Sequence, residues 1–579
     1  MTKARVLEAA NPVFVKTRTR VRKECVWLFG LSVFINLLVF TQPLYMFQVF
    51  DRVVGSGNIS TLIYLTVIAG IAFLALAALT ELRSRILGRL STWLAQALGP
   101  SILRASGATT IIGRSVGMQG FHDLRTIRSF MQSQAAQGLL DAPAIPLFII
   151  VMFLMHPILG AMTLGGALVL LGLAVLAELR ARDAVAMHAK AQTAADRMAE
   201  THIINAEVAR AMGMDAALAE RWNTINAKAI AAANRVNERT GGFLAISRFV
   251  RLFLQVAVLG VGAYLLLQGH LTIGGVIAAS ILLGRALAPI DHLISGWKLL
   301  IAARNAEASL DKILRFDKPT PVQIELPAPS GRLDVEAVTY VPPDADKPVL
   351  SGISFSLEAG DACAIIGPSS AGKSTLCKLI NGVIKPSSGL VRIDGADAYD
   401  WQNQGLGPHI GYLPQDVELF DGTIAENIAR MGKPDSDDVI AAASLADLHE
   451  TILRFPSGYH TRIGPFGRNL SGGIRQRIGL ARALYREPQI VTLDEPNAHL
   501  DHVGEAALLK VLDTLRRRGV TLLIVSHTRK ILQACNKTLV LDGGRVRHFG
   551  GINEIMGALP APKGHTQGTS GGSPSSGIS

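Results

Sequence analysis

Cysteine is scarce in this sequence, and charged residues are fewer than in an average soluble protein. Four cysteines among 579 residues exclude a small disulfide-bonded scaffold. Charged residues make up 18 %, against about 25 % in a typical soluble domain, whereas apolar residues reach 49 %. That apolar content excludes a chain disordered as a whole, because there is ample surface to bury. The length allows about two to four domains, and the composition disfavours a wholly soluble protein.

The basic balance of the chain does not by itself identify a partner. Lys and Arg number 57 against 45 Asp and Glu, a net charge of +12 that is often seen in nucleic-acid-binding proteins. Here, however, long runs lack Asp, Glu, Lys and Arg altogether, at 26–50, 53–80, 142–177 and 252–284. Runs of this length match the roughly 20 apolar residues that cross a bilayer. We therefore expect contact with membrane lipid and not with nucleic acid.

Two of the uncharged runs are too long for one crossing, and each contains a break. Met155-His156-Pro157 divides the third run, since proline ends or kinks helices. Gln268-Gly269-His270 and the following Gly274-Gly275 divide the fourth. The sequence thus predicts six membrane helices, near 26–47, 58–80, 142–156, 158–178, 249–268 and 272–292.

Lysine and arginine predict the orientation of these spans. They are concentrated in residues 1–24 and in the long connections 81–140 and 178–248. The positive-inside rule places these segments, and everything after about residue 293, in the cytoplasm. A single uncharged run could be a buried core helix, but four runs with one consistent charge asymmetry favour membrane spans. The first run is too long for the apolar region of a signal peptide and has no cleavage site after it, so no cleavable signal is expected.

Two charged residues fall inside the last predicted span. A charge at membrane depth suggests function, but Arg285 lies about 20 Å along the helix at 1.5 Å per residue, where it could also reach the cytoplasmic surface. The sequence leaves both explanations open for Arg285 and gives no role to Asp291.

After a linker with four prolines at 318–332, the composition becomes that of an α/β domain. The strand Ala362–Ile366 runs into the pattern GxxxxGK[ST], a phosphate-binding loop in its required strand–loop–helix setting. Lys373 is expected to hold the β- and γ-phosphates and Ser374 to ligate Mg²⁺. The loop residues are Gly367, Pro368, Ser369, Ser370, Ala371, Gly372, Lys373, Ser374 and Thr375.

Two further motifs support nucleotide chemistry. The apolar strand 489–493 ends in Asp494 and Glu495, where the first acid can hold Mg²⁺ through water and the second can act as general base on the attacking water. Ahead of it, Leu470 to Gln476 places Ser471, Gly472 and Gly473 at the start of a helix, which offers free N–H groups to an anion. An ordinary helix cap would explain the second motif if it stood alone, but not its occurrence together with the phosphate-binding loop and the acidic strand end.

Together these motifs resemble the nucleotide-binding domain of ATP-binding cassette (ABC) transporters. The resemblance implies that Tyr340 stacks on adenine and that Gln415 senses Mg²⁺ as one of its ligands. It also implies that the 470–476 signature binds ATP held by the opposite subunit, that Asp501 is the D-loop acid, and that His527 contacts the γ-phosphate as a catalytic residue. ATP and Mg²⁺ are the implied cofactors.

The implied fold is a six-span α-helical ABC exporter domain followed by an α/β P-loop nucleotide-binding domain. One such pair is a half-transporter, so a homodimer is implied. The expected organisation is a cytoplasmic arm (1–24), a transmembrane domain (25–317), a linker (318–332), a nucleotide-binding domain (333–557) and a disordered tail (558–579).

The segments 43–54, 141–148, 279–291 and 495–501 are similar to those of type I secretion exporters, specifically the short group that secretes proteases and lipases. The resemblance implies ATP-driven export of unfolded polypeptides with C-terminal signals from the bacterial inner membrane. It also implies a periplasmic adaptor (a membrane fusion protein), an outer-membrane tunnel protein and cytoplasmic termini. Since the first span begins near residue 26, no N-terminal peptidase domain is expected.

The alternative is an ABC exporter of lipid, drug or glycan, which shares the ATP chemistry. A third candidate, an ABC ATPase of DNA repair or translation, is disfavoured by the fused membrane region. The chain departs from the family pattern at Pro465, Ile474 and His499. None of these departures affects Lys373, Asp494, Glu495 or His527, so hydrolysis is still expected, but the strength of coupling to the membrane domain is left open.

Overall fold

The computed structural model describes residues 11–111, 113, 117–317, 326–343, 345–402, 405–464, 467, 469–498, 500 and 502–552. These residues form two compact units, one before and one after the predicted linker, and each is described by itself. The expectations for residues 1–10, the first part of the linker, the tail from 558, and Pro465, His499 and Asp501 fall outside the described residues.

The first unit is entirely helical. Its helices are α1 (Pro12–Val39), α2 (Thr41–Gln48), α3 (Val54–Ser56), α4 (Ile59–Ile111), α5 (Gln119–Met131), α6 (Gln134–Asp141), α7 (Ile145–Met155), α8 (Pro157–Ile204), α9 (Ala206–Ala211), α10 (Asp215–Leu267) and α11 (Ile273–Leu314). A π-helical turn (Val49–Val53) joins α2 to α3, and a 3₁₀ turn (Ala142–Ala144) joins α6 to α7.

Six helical segments of this unit are long and apolar enough to cross a membrane, which confirms the six-span prediction. They are Pro12–Ser56, Ile59–Ile111, Gln134–Met155, Pro157–Ile204, Asp215–Leu267 and Ile273–Leu314. In five of the six, most of the apolar window is exposed within the single chain, as expected of helices solvated by lipid, whereas 67 % of the window in Ile273–Leu314 is buried.

Both predicted breaks are present and have local causes. α7 ends at Met155, and His156 caps α8 by accepting a hydrogen bond from the Ile158 N–H at its Nδ1 (3.2 Å). Pro157 occupies the first position of α8, where its missing N–H costs nothing. At the other break, the Thr272 hydroxyl caps α11 by accepting from the Gly275 N–H (3.1 Å).

Several helices extend well beyond the predicted spans. α4, α8 and α10 each continue past the hydrocarbon-length segment into sequence rich in Ala, Arg, Glu and Lys. These residues favour helix, so the helix persists after the apolar run ends. α1 starts at Pro12 and passes residue 24 without a break, so the described part of the arm and the first span are one helix.

The charged residues of the last span have polar partners. Arg285 is exposed in the single chain and its Nη2 donates to the Gln42 Oε1 (3.1 Å). Asp291 pairs with Arg251 (Nε to Oδ2, 3.1 Å) and accepts a hydrogen bond from the Ser247 hydroxyl (3.1 Å). The charge of Asp291 is therefore compensated within the helical unit.

The second unit contains three sheets and eight helices among the described residues. The strands are β1 (Leu333–Tyr340), β2 (Leu350–Leu357), β3 (Ala362–Ile366), β4 (Ser388–Ile393), β5 (Ala396–Asp397), β6 (Ile410–Leu413), β7 (Gly422–Thr423), β8 (Arg462–Ile463), β9 (Ile490–Asp494), β10 (Thr521–Val525), β11 (Lys537–Asp542) and β12 (Arg545–Gly551). The helices are α12 (Lys373–Ile380), α13 (Ala398–Gln402), α14 (Ile424–Ile428), α15 (Ser436–Leu445), α16 (His449–Leu453), α17 (Gly472–Leu484), α18 (His502–Arg517) and α19 (Arg529–Gln533).

The central sheet has six strands in the order β12-β11-β3-β10-β9-β6. All neighbours pair in parallel except β11 with β12. Every residue of β3, β9 and β10 is buried, which explains their continuous apolar runs. A separate antiparallel sheet, β2-β1-β4-β5, was not predicted from the sequence.

Candidate nucleotide site

The predicted phosphate-binding and acidic motifs meet at one edge of the central sheet. The strands β3, β10, β9 and β6 lie side by side and run parallel, so their carboxyl ends share that edge. The phosphate loop follows β3, Glu495 follows β9, His527 lies beyond β10 and Gln415 lies beyond β6. In open α/β sheets this edge is where ligands bind.

Glycine is required at two positions of the phosphate loop. A Cβ on Gly367 would lie 2.2 Å from the Leu541 carbonyl oxygen, and a Cβ on Gly372 would lie 2.6 Å from the Leu350 side chain. Gly372 also has a φ of +92°, a left-handed conformation that glycine adopts without strain. The close approach of strands on either side thus fixes the path of the loop into α12.

Lys373 folds back over the loop that precedes it. Its Nζ donates to the carbonyl oxygens of Gly367 (2.8 Å) and Pro368 (3.0 Å), and the residue is 8 % exposed. The ammonium group therefore lies against the backbone of the phosphate loop. The N-terminus of α12 begins at the same residue and contributes its positive dipole.

Ser374 and Asp494 are hydrogen-bonded to each other across the site. Burial raises the pKa of Asp494, which is 2 % exposed, and the bond from Ser374 partly offsets that rise. A hydroxyl and a carboxylate oxygen at one point form a hard-oxygen donor set that suits Mg²⁺. These two residues therefore fit the magnesium site that the sequence predicts.

Glu495 is held in an unusual backbone conformation beside Gln415. Its φ is +51°, rare for a residue with a side chain, and its N–H donates to the Val525 carbonyl (3.0 Å). The Gln415 Nε2 donates to the Glu495 Oε2 (2.9 Å). The two residues follow strands β6 and β9, which are neighbours in the sheet, and the structure brings them into direct contact as a pair.

Tyr340 and His527 occupy different surroundings. Tyr340 ends β1 and pairs with Leu350, whose side chain packs against Gly372 of the phosphate loop. Partial burial raises the pKa of its phenol. His527 is exposed in the segment between β10 and α19.

The signature does not follow a strand of the central sheet. Ser471 caps α17, with its hydroxyl accepting from the Ile474 N–H (3.4 Å), so Gly472 and Gly473 form the first turn of that helix. Ile474 contributes its backbone to this cap, and its side chain is partly buried against the adjacent hydrophobic core. The helix therefore presents the free N–H groups that the sequence predicts.

Two polar residues within these motifs were not recognised from the sequence as functional. Gln476, only 2 % exposed, donates to the Pro496 carbonyl (3.3 Å), and Asn497 donates to the Thr528 hydroxyl (2.9 Å). Both belong to quoted motifs, but nothing in their spacing indicates these partners, because the bonds span 20 and 31 residues.

Comparisons with known proteins agree for both units. Residues 350–498 match the ABC transporter family and residues 26–287 match the ABC transporter transmembrane region. The type I secretion system ATP-binding protein PrsD of Rhizobium meliloti (strain 1021) is 37 % identical over 92 % of this chain and 92 % of its own. The toxin RTX-I translocation ATP-binding protein of Actinobacillus pleuropneumoniae is 28 % identical over 94 % of this chain and 78 % of its own.

A solved structure supports the same fold. It is described as a bacterial Atm1-family ABC exporter with ATP bound, and it is 22 % identical to this chain. The TM-score is 0.77, with 93 % of this chain and 96 % of the other covered.

Proposed function

The chain belongs to the ABC transporter family, and we propose that it is the ATP-driven inner-membrane exporter of a type I secretion system. As a family member it is a multi-pass membrane protein and an ATPase whose hydrolysis is coupled to transport. The proposed cargo is an unfolded polypeptide with a C-terminal signal. The main support for this proposal is the similarity to a type I secretion ATP-binding protein, at 37 % identity over 92 % of both chains. The similarity is informative because it includes the membrane-spanning half.

The proposed ATP site uses the residues at the carboxyl edge of the sheet. Tyr340 stacks on adenine, the phosphate loop surrounds the phosphates with backbone N–H groups, and Lys373 contacts the terminal phosphates. Ser374, Asp494 and Gln415 are the groups that would hold Mg²⁺, which when bound neutralises phosphate charge. The Lys373 Nζ donates two of its three hydrogens to the loop carbonyls, which leaves one for a phosphate oxygen.

Hydrolysis needs a base for the attacking water and a group at the γ-phosphate. Glu495 is the proposed base, and His527 is the proposed γ-phosphate contact. In the structure Glu495 accepts a hydrogen bond from Gln415, so its carboxylate is positioned at the end of β9. An ionised carboxylate in that position can take a proton from water as the bond to phosphorus forms.

We infer that the working unit is a homodimer. The signature at Ser471 opens α17 and does not follow a strand at the sheet edge, so a second copy would supply the signature N–H groups and the D-loop Asp501 to each ATP. The further proposed partners are a periplasmic adaptor and an outer-membrane tunnel protein. The positive-inside rule supports cytoplasmic N- and C-termini.

Export is tested by comparing the culture medium of a deletion strain with that of the complemented strain. Mass spectrometry is expected to show that one or a few proteins lacking N-terminal signal peptides disappear in the deletion and return on complementation. Proteins with signal peptides form the internal control and should not change. An unchanged set of secreted proteins, with the gene expressed, would contradict the proposal and favour export of lipid, drug or glycan.

A further inference from the structure

Asn497 connects the segment after the proposed base to both residues that flank His527. Its Nδ2 donates to the Thr528 Oγ1 (2.9 Å), and its Oδ1 accepts from the Ser526 hydroxyl (3.4 Å). The same Ser526 hydroxyl accepts a hydrogen bond from the Thr528 N–H (3.1 Å). One amide group thus bridges the residue before His527 and the residue after it.

The segment that carries Asn497 is itself held at two points. The Glu495 N–H donates to the carbonyl of Val525, the last residue of β10 (3.0 Å). The buried Gln476 of α17 donates to the Pro496 carbonyl (3.3 Å). Asn497 therefore projects from a backbone that is already fixed to the central sheet and to the signature helix.

Within the part of the chain that the structure describes, the His527 side chain has no hydrogen-bond or ion-pair partner of its own. It is exposed, whereas Ser526 beside it is 1 % exposed, and Thr528 occupies the N-cap position of the short helix α19 without a capping bond from its side chain. Fixing the residues on both sides of His527 limits where its backbone, and therefore its Cβ, can lie. The bonds of Asn497 do this from outside the 526–528 segment.

We propose that Asn497 is a positioning residue that holds His527 in place for the γ-phosphate. The inference rests on the proposed role of His527 in ATP hydrolysis. Asn497 acts through the side-chain hydroxyls of Ser526 and Thr528 and does not itself contact ATP. By linking Glu495 and His527 through one short segment, it keeps the base and the γ-phosphate contact at a constant separation.

The expected effect is on the rate of hydrolysis and not on ATP affinity. Tyr340 and Lys373, which bind other parts of the nucleotide, keep their supports when Asn497 is changed. A small misplacement of a group at the reacting phosphate can slow a reaction by about 100-fold, and partial loss of support should cost about tenfold in kcat. The KM for ATP should stay within about twofold, because the bonds lost serve only the γ-phosphate contact.

The test uses the full-length protein in lipid nanodiscs, with kcat and KM for Mg-ATP and the melting temperature as readouts. Asn497→Ala and Thr528→Val should each lower kcat by about tenfold, and the double variant should lose no more than Asn497→Ala alone, since that variant already lacks the bond to the Thr528 hydroxyl. Thr528→Ser keeps the hydroxyl and should retain activity. Asn536→Ala, which removes a structural asparagine bonded to the Ala362 N–H and Asp361, should lower the melting temperature without lowering kcat per folded protein.

Measuring His527→Ala beside these variants distinguishes a failure of the positioning role of Asn497 from a failure of the proposed role of His527. If His527→Ala leaves kcat unchanged, the proposed role of His527 fails, and a low kcat in Asn497→Ala would then show that Asn497 acts by another route. If His527→Ala lowers kcat but Asn497→Ala and Thr528→Val do not, or if their losses multiply in the double variant, the positioning role alone is wrong. The identity of the exported cargo does not affect any of these results.

Discussion

Removing the guanidinium of Arg83 should destabilise the membrane domain far more than removing that of an arginine two residues away in the same helix. Arg83 lies in α4, and its Nη1 contacts the Asp141 Oδ1 at 2.6 Å and the Ser32 hydroxyl at 3.1 Å. Asn36 donates to the same Asp141 oxygen at 3.0 Å. This cluster joins the first three membrane segments where α6 ends and the third span is broken by the 3₁₀ turn.

The magnitude follows from burial. The Arg83 and Asp141 side chains are 6 % and 19 % exposed, so Arg83→Ala leaves a carboxylate in a largely desolvated place with only Asn36 as partner. Breaking a buried pair in this way costs about 3–5 kcal/mol. Arg85 pairs with Glu81 at 2.7 Å on the same helix, but these side chains are 71 % and 59 % exposed. Losing an exposed pair costs about 0–1 kcal/mol.

Thermal unfolding of the purified protein in one detergent measures the difference. At about 2 °C per kcal/mol, Arg83→Ala should lower the melting temperature by about 6–10 °C and Arg85→Ala by about 2 °C or less. The double variant Arg83→Met with Asp141→Asn removes both charges and should recover more than half of the loss. Equal shifts for Arg83→Ala and Arg85→Ala would refute the argument that burial of the pair sets its contribution.

Three other predictions address the phosphate loop, a helix contact and the thiols. Lys373→Ala should lose ATP binding in a calorimetric titration, and unchanged affinity would count against its assignment to the phosphates. Gly274→Ala should destabilise the fold by about 1–3 kcal/mol, since its Cβ would lie 2.6 Å from the Phe47 carbonyl oxygen; an unshifted melting temperature would contradict this contact. Burial raises the pKa of Cys363 and raises that of Cys535 to about 12. Both thiols should therefore stay unmodified by iodoacetamide at pH 8 in the native protein, and rapid labelling followed by mass spectrometry would show that they are accessible.

The sequence predicts the membrane helices well where composition alone determines them. An uncharged run of about 20 residues has few stable alternatives to a spanning helix, and His156-Pro157 ends a helix by local chemistry. The extension of α4 to Ile111 was not predicted, because its polar half lacks the apolar signal used to define a span. The pairing of Arg83 with Asp141 could not be predicted from the sequence either, since it joins residues 58 positions apart.

In the α/β unit, the phosphate loop and the buried strands β3, β9 and β10 could be located because continuous apolar runs end in chemically informative residues. The antiparallel sheet was missed for a physical reason. β1 pairs with both β2 and β4 through register shifts, and Ala337 has a φ of +46° at this irregularity. Such bulges interrupt the alternation of apolar and polar residues that identifies a half-buried strand. The bonds of Asn497 depend on how β9 and β10 are paired, which no local pattern encodes.

Dependence of export on ATP hydrolysis is the central claim, and one substitution tests it most directly. The deletion strain is complemented with the wild-type gene or with Glu495→Gln, expressed at equal levels, and polypeptides in the medium and in the cells are quantified by mass spectrometry. The cargo should appear in the medium only with the wild-type gene. With Glu495→Gln it should remain in the cells, while the purified variant binds ATP without turning it over. Equal amounts of cargo in the medium of both strains would contradict ATP-driven export by this chain.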